Sequence, residues 1–242
     1  MIVTDKFVFV HFPRTGGTFM TDVIRRFFPS AREIGYHLPR SLLPNKYSQL
    51  PIVGAVRNPW EFYVSWYYHV WPRDAATPLH SWLSENGKQR FDGVTRNALN
   101  LGSDSTRLEA LIEKMPDEVD YHRRHIPNIT KESLRKIRGT GVGFYTFRFN
   151  QLFGNADEVF FCRLETLRQD LISFFQRIGV ATDELRDYVF RLDKKNAAPH
   201  RHYSTYYTSD LAELVLMRDR PIIERFGYVF ELQEVRQSAP IL

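Results

Sequence analysis

Residues 7–28 read FVFVHFPRTGGTFMTDVIRRFF. Phe7–Phe12 is a short, nearly continuous apolar run of strand-forming residues, which predicts a buried strand. Pro13 ends it. Gly16 and Gly17 then let the backbone bend and approach a ligand with no side chain in the way. From Thr18 the apolar residues fall at helical spacing, with Phe19, Val23, Ile24, Phe27 and Phe28, until Pro29 stops the helix. A glycine turn that opens a helix leaves N–H groups pointing outward at the positive end of the helix dipole. That arrangement is an anion site, and phosphate is its common occupant. Arg14 and the hydroxyls of Thr15 and Thr18 add donors. The composition of Pro13–Thr18 fits an ordinary strand–turn–helix corner equally well. It does not fit the common nucleotide loop GxxxxGKS or GxxxxGKT, because no lysine precedes the threonine and the glycine spacing differs.

The rest of the chain bounds the answer. Its 242 residues suit one α/β domain over 1–242, long enough for a real core. Hydrophobic residues make up 43% and aromatic ones 14%, which is globular and not disordered. The net charge of +5 favours an anionic ligand or partner without naming it. Cys162 is the single cysteine, so there is no internal disulfide, and most metal sites are excluded. No apolar segment is long enough to span a bilayer, and no signal-peptide pattern precedes Phe7. The expectation is a soluble, cytoplasmic protein without stable membrane insertion. Basic residues are scattered and no recognition motif is present, which argues against nucleic acid as a partner.

Downstream, a short strand is expected around Glu33–Tyr36 and another over Ile52–Val56. Asn58-Pro59 starts a helix through about Val70, with Asn58 as cap and Glu61 near the positive end. That helix is apolar nearly all round and reads as buried. Residues 72–141 read as a mainly helical insertion, with helices at Leu79–Leu83 and Ser105–Met115 and a basic stretch over Tyr121–Arg138. Gly139–Gly143 is a hinge before the aromatic run Phe144, Tyr145, Phe147, Phe149. A strand follows at Glu158–Arg163, then helices over Leu167–Ile178, Asp183–Leu192, Ser209–Arg218 and Ile222–Phe226. Strands alternating with helices predict an α/β fold with a mainly parallel sheet covered on both faces.

A second constellation is VGAVRNPWEFYVSWYYH, residues 53–69. Arg57 falls at the C-terminal end of a predicted strand, where open α/β sheets bind ligands. Ser65 follows eight residues later. An arginine fork and a hydroxyl hold a phosphate from two directions. The same pair also fits an arginine bonded to a core carboxylate and a serine making room for helix packing.

Together the two stretches resemble the PAPS-dependent sulfotransferases. FVHFPRTGGTFM is similar to their 5′-phosphosulfate loop, and the Arg57 to Ser65 spacing matches their 3′-phosphate motif. FCRLETLRQDLISFFQRIGV and YYTSDLAELVLMRDRPIIERFGYVF are weaker echoes of later family segments. The middle third has no clear counterpart. The resemblance implies a parallel sheet of P-loop type and transfer of a sulfuryl group from 3′-phosphoadenosine 5′-phosphosulfate (PAPS) to a hydroxyl or amine, leaving adenosine 3′,5′-bisphosphate. It implies that Thr15, Gly16, Gly17 and Thr18 hold the 5′-phosphosulfate and that Arg57 and Ser65 hold the 3′-phosphate. Many relatives have lysine where this chain has Arg14. Arginine stays charged, so Arg14 is assigned charge stabilisation on the leaving phosphate.

The acceptor needs a base, and His37 in GYHLPR is the choice, with His11, His69 and Glu33 as alternatives. In Lys194–Arg201, the residues Lys195, Asn196, His200 and Arg201 are candidates to close over the nucleotide. Phe19, Trp60 and the run Phe144–Phe149 are candidates to stack on adenine or line the acceptor pocket, or else are core. A small-molecule or carbohydrate acceptor is expected, but its identity is not readable, with sugar, lipid, peptide tyrosine and small phenol all open, and neither is the oligomeric state. A P-loop kinase or hydrolase and a non-enzymatic nucleic-acid binder are the rival classes.

Overall fold

A tight hairpin begins the fold. Ile2–Val3 (β1) turns back onto Val8–Val10 (β2), pairing Ile2 with Phe9 and Val3 with Val8. Thr4 sets the turn. Its N–H donates to Phe7 O at 3.0 Å, and its hydroxyl oxygen accepts from the N–H groups of Phe7 and Lys6 at 2.9 and 3.1 Å. The computed structural model describes residues 1–69, 77–103, 105–123, 128–193 and 200–232. Beyond β2 the chain forms α1 (Gly17–Phe27), β3 (Arg32–Glu33), β4 (Ile52–Val56) and α2 (Pro59–His69). Four helices come next: α3 (Pro78–Leu83), α4 (Phe91–Leu99), α5 (Ser105–Lys114) and α6 (Lys131–Arg135). Then come α7 (Phe144–Phe153), β5 (Val159–Arg163), α8 (Leu167–Arg177), α9 (Asp183–Arg191), α10 (Ser209–Arg218) and α11 (Arg220–Phe226).

The protein is α/β, with a five-stranded sheet in the order β3-β1-β2-β4-β5. Strands β2, β4 and β5 are parallel, while β1 is antiparallel to both β2 and β3. The expected mainly parallel sheet is thus corrected to a mixed one. The cause is local: Thr4-Asp5-Lys6-Phe7 is far too short for a crossover, so β2 can only return antiparallel. The strand expected around Glu33–Tyr36 is also displaced. It is Arg32–Glu33, and the N–H of Tyr36 instead donates to Tyr121 O at 2.6 Å. Among the described residues no helix is long and apolar enough to cross a membrane.

Side chains alternate along the strands between two buried clusters, as the pleat requires. Phe7, Phe9, Val53, Ala55 and Cys162 join one cluster, with Met20, Val23 and Ile24 of α1, Phe174 and Phe175 of α8, and Val189 of α9. Val8, Val10, Phe12, Ile52 and Val56 join the other, with residues of α2, α7, α10 and α11. Each large apolar side chain buried in this way is worth about 1.5–3 kcal/mol against exposure. Helix α2 is buried on most sides, as its all-round apolar character predicts: Trp60, Phe62, Tyr63, Val64 and Trp66 all lie in the core. The aromatic run after the glycine hinge is the first half of α7, and residues 144–149 are all buried.

Where α2, α7 and α10 meet, one carboxylate joins them. Asp219 follows the last turn of α10 and is fully buried. It accepts from Thr146 N–H at 2.9 Å, from the Thr146 hydroxyl at 2.7 Å and from the Tyr63 hydroxyl at 2.7 Å. Gly143, just before α7, makes room: a Cβ there would lie 2.7 Å from an Asp219 carboxylate oxygen. Burial pushes the Asp219 carboxyl up to about 6, although its hydrogen bonds pull the other way. A carboxyl raised on folding contributes stability that is complete below its ordinary 3.8 and is lost as pH climbs through about 6. Asp219→Asn removes that dependence. Urea unfolding at pH 4 and pH 7 should show the difference between variant and wild type moving in the variant's favour, by up to ~3 kcal/mol. A difference that is the same at both pH values would show that this carboxyl titrates normally.

Candidate functional site

The turn between β2 and α1 is built by two left-handed residues. Gly16 caps α1 with φ 90°, and Arg14 has φ 62°, a conformation that costs a non-glycine residue roughly 1 kcal/mol or more. The two glycines are fixed from opposite sides. A Cβ on Gly17 would fall 1.9 Å from the His11 imidazole, and one on Gly16 would fall 2.6 Å from Leu167. The turn is therefore held between the end of β2 and the start of α8. Met20 N–H to Gly16 O, at 3.2 Å, is the first intrahelical bond of α1, so the amides of Gly17, Thr18 and Phe19 precede it. No side chain caps this end, and no acidic residue occupies its first turn. Both conditions suit an anion.

Arg14, Arg57 and Ser65 come together over this turn. The Arg14 guanidinium donates to the Ser65 hydroxyl oxygen from Nε at 3.1 Å and from Nη2 at 3.0 Å. Arg57, at the end of β4, donates from Nη1 to the Arg14 carbonyl at 3.2 Å. Its Nη2 pairs with Glu61 at 2.6 Å, one turn along α2. The carboxylate-paired reading of Arg57 is therefore part of the structure, but it accounts for only one edge of the fork. Arg57 is 7% exposed, and its Nε is buried with no hydrogen-bond partner. A buried charged donor left unbonded is costly, and this edge is able to hold an acceptor oxygen.

The backbone of Arg57 is fixed from behind. The Tyr145 hydroxyl accepts from Arg57 N–H at 3.0 Å and donates to Arg57 O at 2.9 Å. Asn58 N–H donates to Glu165 at 2.8 Å, and the Asn58 side chain accepts from Trp60 N–H at 3.0 Å, the expected cap of α2. Burial pushes the Glu165 carboxyl up, against the pull of the Asn58 amide.

His37 joins the same turn through His11. It is 8% exposed, has φ 50°, and its Nδ1 is 2.8 Å from His11 O. A carbonyl only accepts, so Nδ1 carries the proton and Nε2 is the basic nitrogen. The His11 and His37 rings are 4.6 Å apart, and the Tyr36 ring lies 3.9 Å from that of His37. Burial first, and then His11, hold the His37 imidazole well below the usual 6.5. It is neutral at physiological pH and able to accept a proton. Of the alternatives, His11 packs its ring on Gly17, Glu33 pairs with Arg25 at 2.6 Å, and the His69 side chain lies outside the described residues.

The other expected site residues divide between the turn and the core or surface. Thr15 is fully buried, and its hydroxyl donates to Phe12 O at 2.9 Å, bracing the turn. Thr18 is half-buried in the first turn of α1. Phe19 is a core residue with the Arg168 guanidinium 5.1 Å over its ring, and Trp60 is core with its indole N–H on Ala212 O at 2.9 Å. The run Phe144–Phe149 is core as well. Arg201 is exposed, with its N–H donating to the Tyr206 hydroxyl at 3.1 Å. Lys194, Lys195 and Asn196 lie outside the described residues.

Sequence reasoning missed the supports of this site. Glu61 stands four residues after Arg57, a readable ion-pair spacing. Glu165 lies in the C-R-L-E-T stretch that follows the last strand. Tyr145 carries no signal, since its partner is 88 residues away. No family model, no curated protein and no solved structure matches the chain.

Gly17→Ala tests how firmly the turn is wedged. The added methyl must displace the His11 ring, and the variant should lose ~1–3 kcal/mol in chemical denaturation. Wild-type stability in the variant would mean that the ring swings aside freely.

Proposed function

We propose that this chain is a sulfotransferase that moves a sulfuryl group from PAPS to a hydroxyl or amine acceptor. One observation carries the reading. Arg57, with its buried unpartnered Nε, converges with Arg14 and Ser65 at the uncapped start of α1. Two guanidinium groups share this corner, and that of Arg57 pairs with Glu61. Two cations beside the start of α1 suit a ligand with two separate anionic groups. The amides opening α1 and the Arg14 side chain suit the phosphosulfate, and Arg57 and Ser65 suit the 3′-phosphate.

PAPS supplies the sulfuryl group, already joined to a phosphate that can leave. The chain supplies the rest. Arg14 stabilises the negative charge that builds on the bridging oxygen, without giving up a proton. His37 Nε2 takes the proton from the acceptor as it attacks. The His11 carbonyl holds the imidazole in the tautomer this requires. The division of strand side chains between two helix-bearing clusters supports the finer architecture, a P-loop-type sheet with helices on both faces.

A thermal-shift screen against adenosine 3′,5′-bisphosphate, ATP, GTP and AMP tests the cofactor class. Selective stabilisation by the bisphosphate is expected, and stabilisation by ATP with Mg²⁺ instead would favour a P-loop kinase or hydrolase. In calorimetry Arg57→Ala should weaken bisphosphate binding by ~1.5–3 kcal/mol, the worth of a charge-assisted contact. Unchanged affinity would remove Arg57 from the site. His37→Ala should bind the bisphosphate normally and turn over far more slowly. Because the imidazole is held below 6.5, wild-type turnover should be level above that pH and fall only on the acid side.

A further inference from the structure

Beside His37 lies a second pair of buried polar groups, one of which holds an acceptor left unbonded. Arg148, on α7, is 4% exposed. Its Nη1 donates to Asn128 O at 3.1 Å and to the Gln151 side chain, both neutral. No carboxylate pairs with it among the described residues. Asn128 is 1% exposed, and its Nδ2 donates to Tyr36 O, while its Oδ1 is buried with no hydrogen-bond partner. Gln151 braces the pair by donating to Asn128 O at 2.9 Å.

A buried guanidinium without a counter-charge and a buried carbonyl oxygen without a donor are each costly. Side by side they specify a complement: an anion next to a hydrogen-bond donor. The location is equally specific. Asn128 bonds to Tyr36, the residue before His37, and His37 bonds to His11, whose ring lies on Gly17. Hydrogen bonds, the Tyr36–His37 backbone and the packing of the His11 ring on Gly17 together connect Arg148 to the glycine turn.

We propose that Arg148 and Asn128 form a subsite for an acidic sugar, whose carboxylate meets Arg148 and whose neighbouring hydroxyl donates to Asn128 Oδ1. A sugar acid carries both groups on one rigid ring, at the spacing of adjacent carbons. As an acceptor subsite this rests on the sulfuryl-transfer reading; as a binding site it stands without it. The subsite also bears on the base. Burial and His11 are the main influences lowering His37, and Arg148 adds to them. A carboxylate on Arg148 offsets that contribution, so an acidic acceptor strengthens the base as it binds.

The test is calorimetry on the wild-type chain with three probes: methyl β-glucuronide, its uncharged methyl ester, and methyl β-glucoside. The glucuronide should bind at least tenfold more tightly than either neutral probe. Arg148→Gln should abolish that preference, and Arg148→Lys should keep part of it, with folding of each variant checked by its circular dichroism melt. Equal binding of the three probes, or none, overturns the proposal on wild-type protein alone. So does a preference that survives in folded Arg148→Gln. An N-acetyl aspartyl amide that binds more tightly than the glucuronide would reassign the subsite to acidic peptides. Bisphosphate binding is titrated separately. Its absence alongside an intact glucuronide preference would sink the sulfuryl-transfer reading and leave the subsite standing.

Discussion

The buried carboxylate of Asp219 is the constraint on which the site depends. Through Tyr63 it holds α2, and through Thr146 it holds α7. The Tyr63 hydroxyl in turn accepts from Tyr145 N–H at 3.2 Å, and the Tyr145 hydroxyl clamps both backbone groups of Arg57. Four buried residues thus pass position from the C-terminal helices to the end of β4. Both tyrosine hydroxyls in that relay donate and accept, and the Thr146 hydroxyl donates to the carboxylate, so each is bonded in a low-dielectric interior. Arg57 consequently has a rigid backbone and an incompletely bonded side chain. That combination fits a binding residue, because the cost of holding it ready has already been met by the fold.

The glycine turn is constrained in the same spirit from the opposite direction. His11 fills the space that a Gly17 side chain would take, and Leu164 and Leu167 fill the space beside Gly16. His11 then fixes the tautomer of His37 through its carbonyl. The proposed base and the proposed phosphate loop are thereby positioned by one residue of one strand end. Arg14 completes the corner. Its backbone belongs to the turn and its guanidinium reaches Ser65 on α2, so a single side chain spans both proposed phosphate positions. A planar fork with several fixed donors does this more readily than the single rotating ammonium of a lysine.

Much of this was legible in the sequence, for identifiable reasons. The strand–turn–helix at residues 7–28, the Asn58 cap and the buried character of α2 are local, and local chemistry decided them. Arg14, Arg57 and Ser65 were each legible as candidates, but their meeting depends on β2 lying beside β4, which the sequence did not show. The hairpin of β1 was missed because two residues cannot show a period. Helix α7 was missed because residues 144–149 are all buried, so its first turns have no polar face to reveal the repeat. Tyr145, Asp219, Arg148 and Asn128 were missed for a different reason: apart from Gln151, three residues after Arg148, their partners lie twenty or more residues away, and no spacing rule reaches that far.

The two orphaned groups make a further point about where function resides. Arg57 Nε and Asn128 Oδ1 are the two buried side-chain polar atoms left without partners among the described residues. Both lie beside residues expected to act, one at the end of β4 and one next to Tyr36 and His37. Natural interiors rarely tolerate such atoms unless something outside the chain completes them. Their chemistry is opposite, one a charged donor and one a neutral acceptor. A single anion could satisfy the first but not the second. A ligand that completes both must therefore bring an acceptor to Arg57 and a donor to Asn128, two different groups at two separate points.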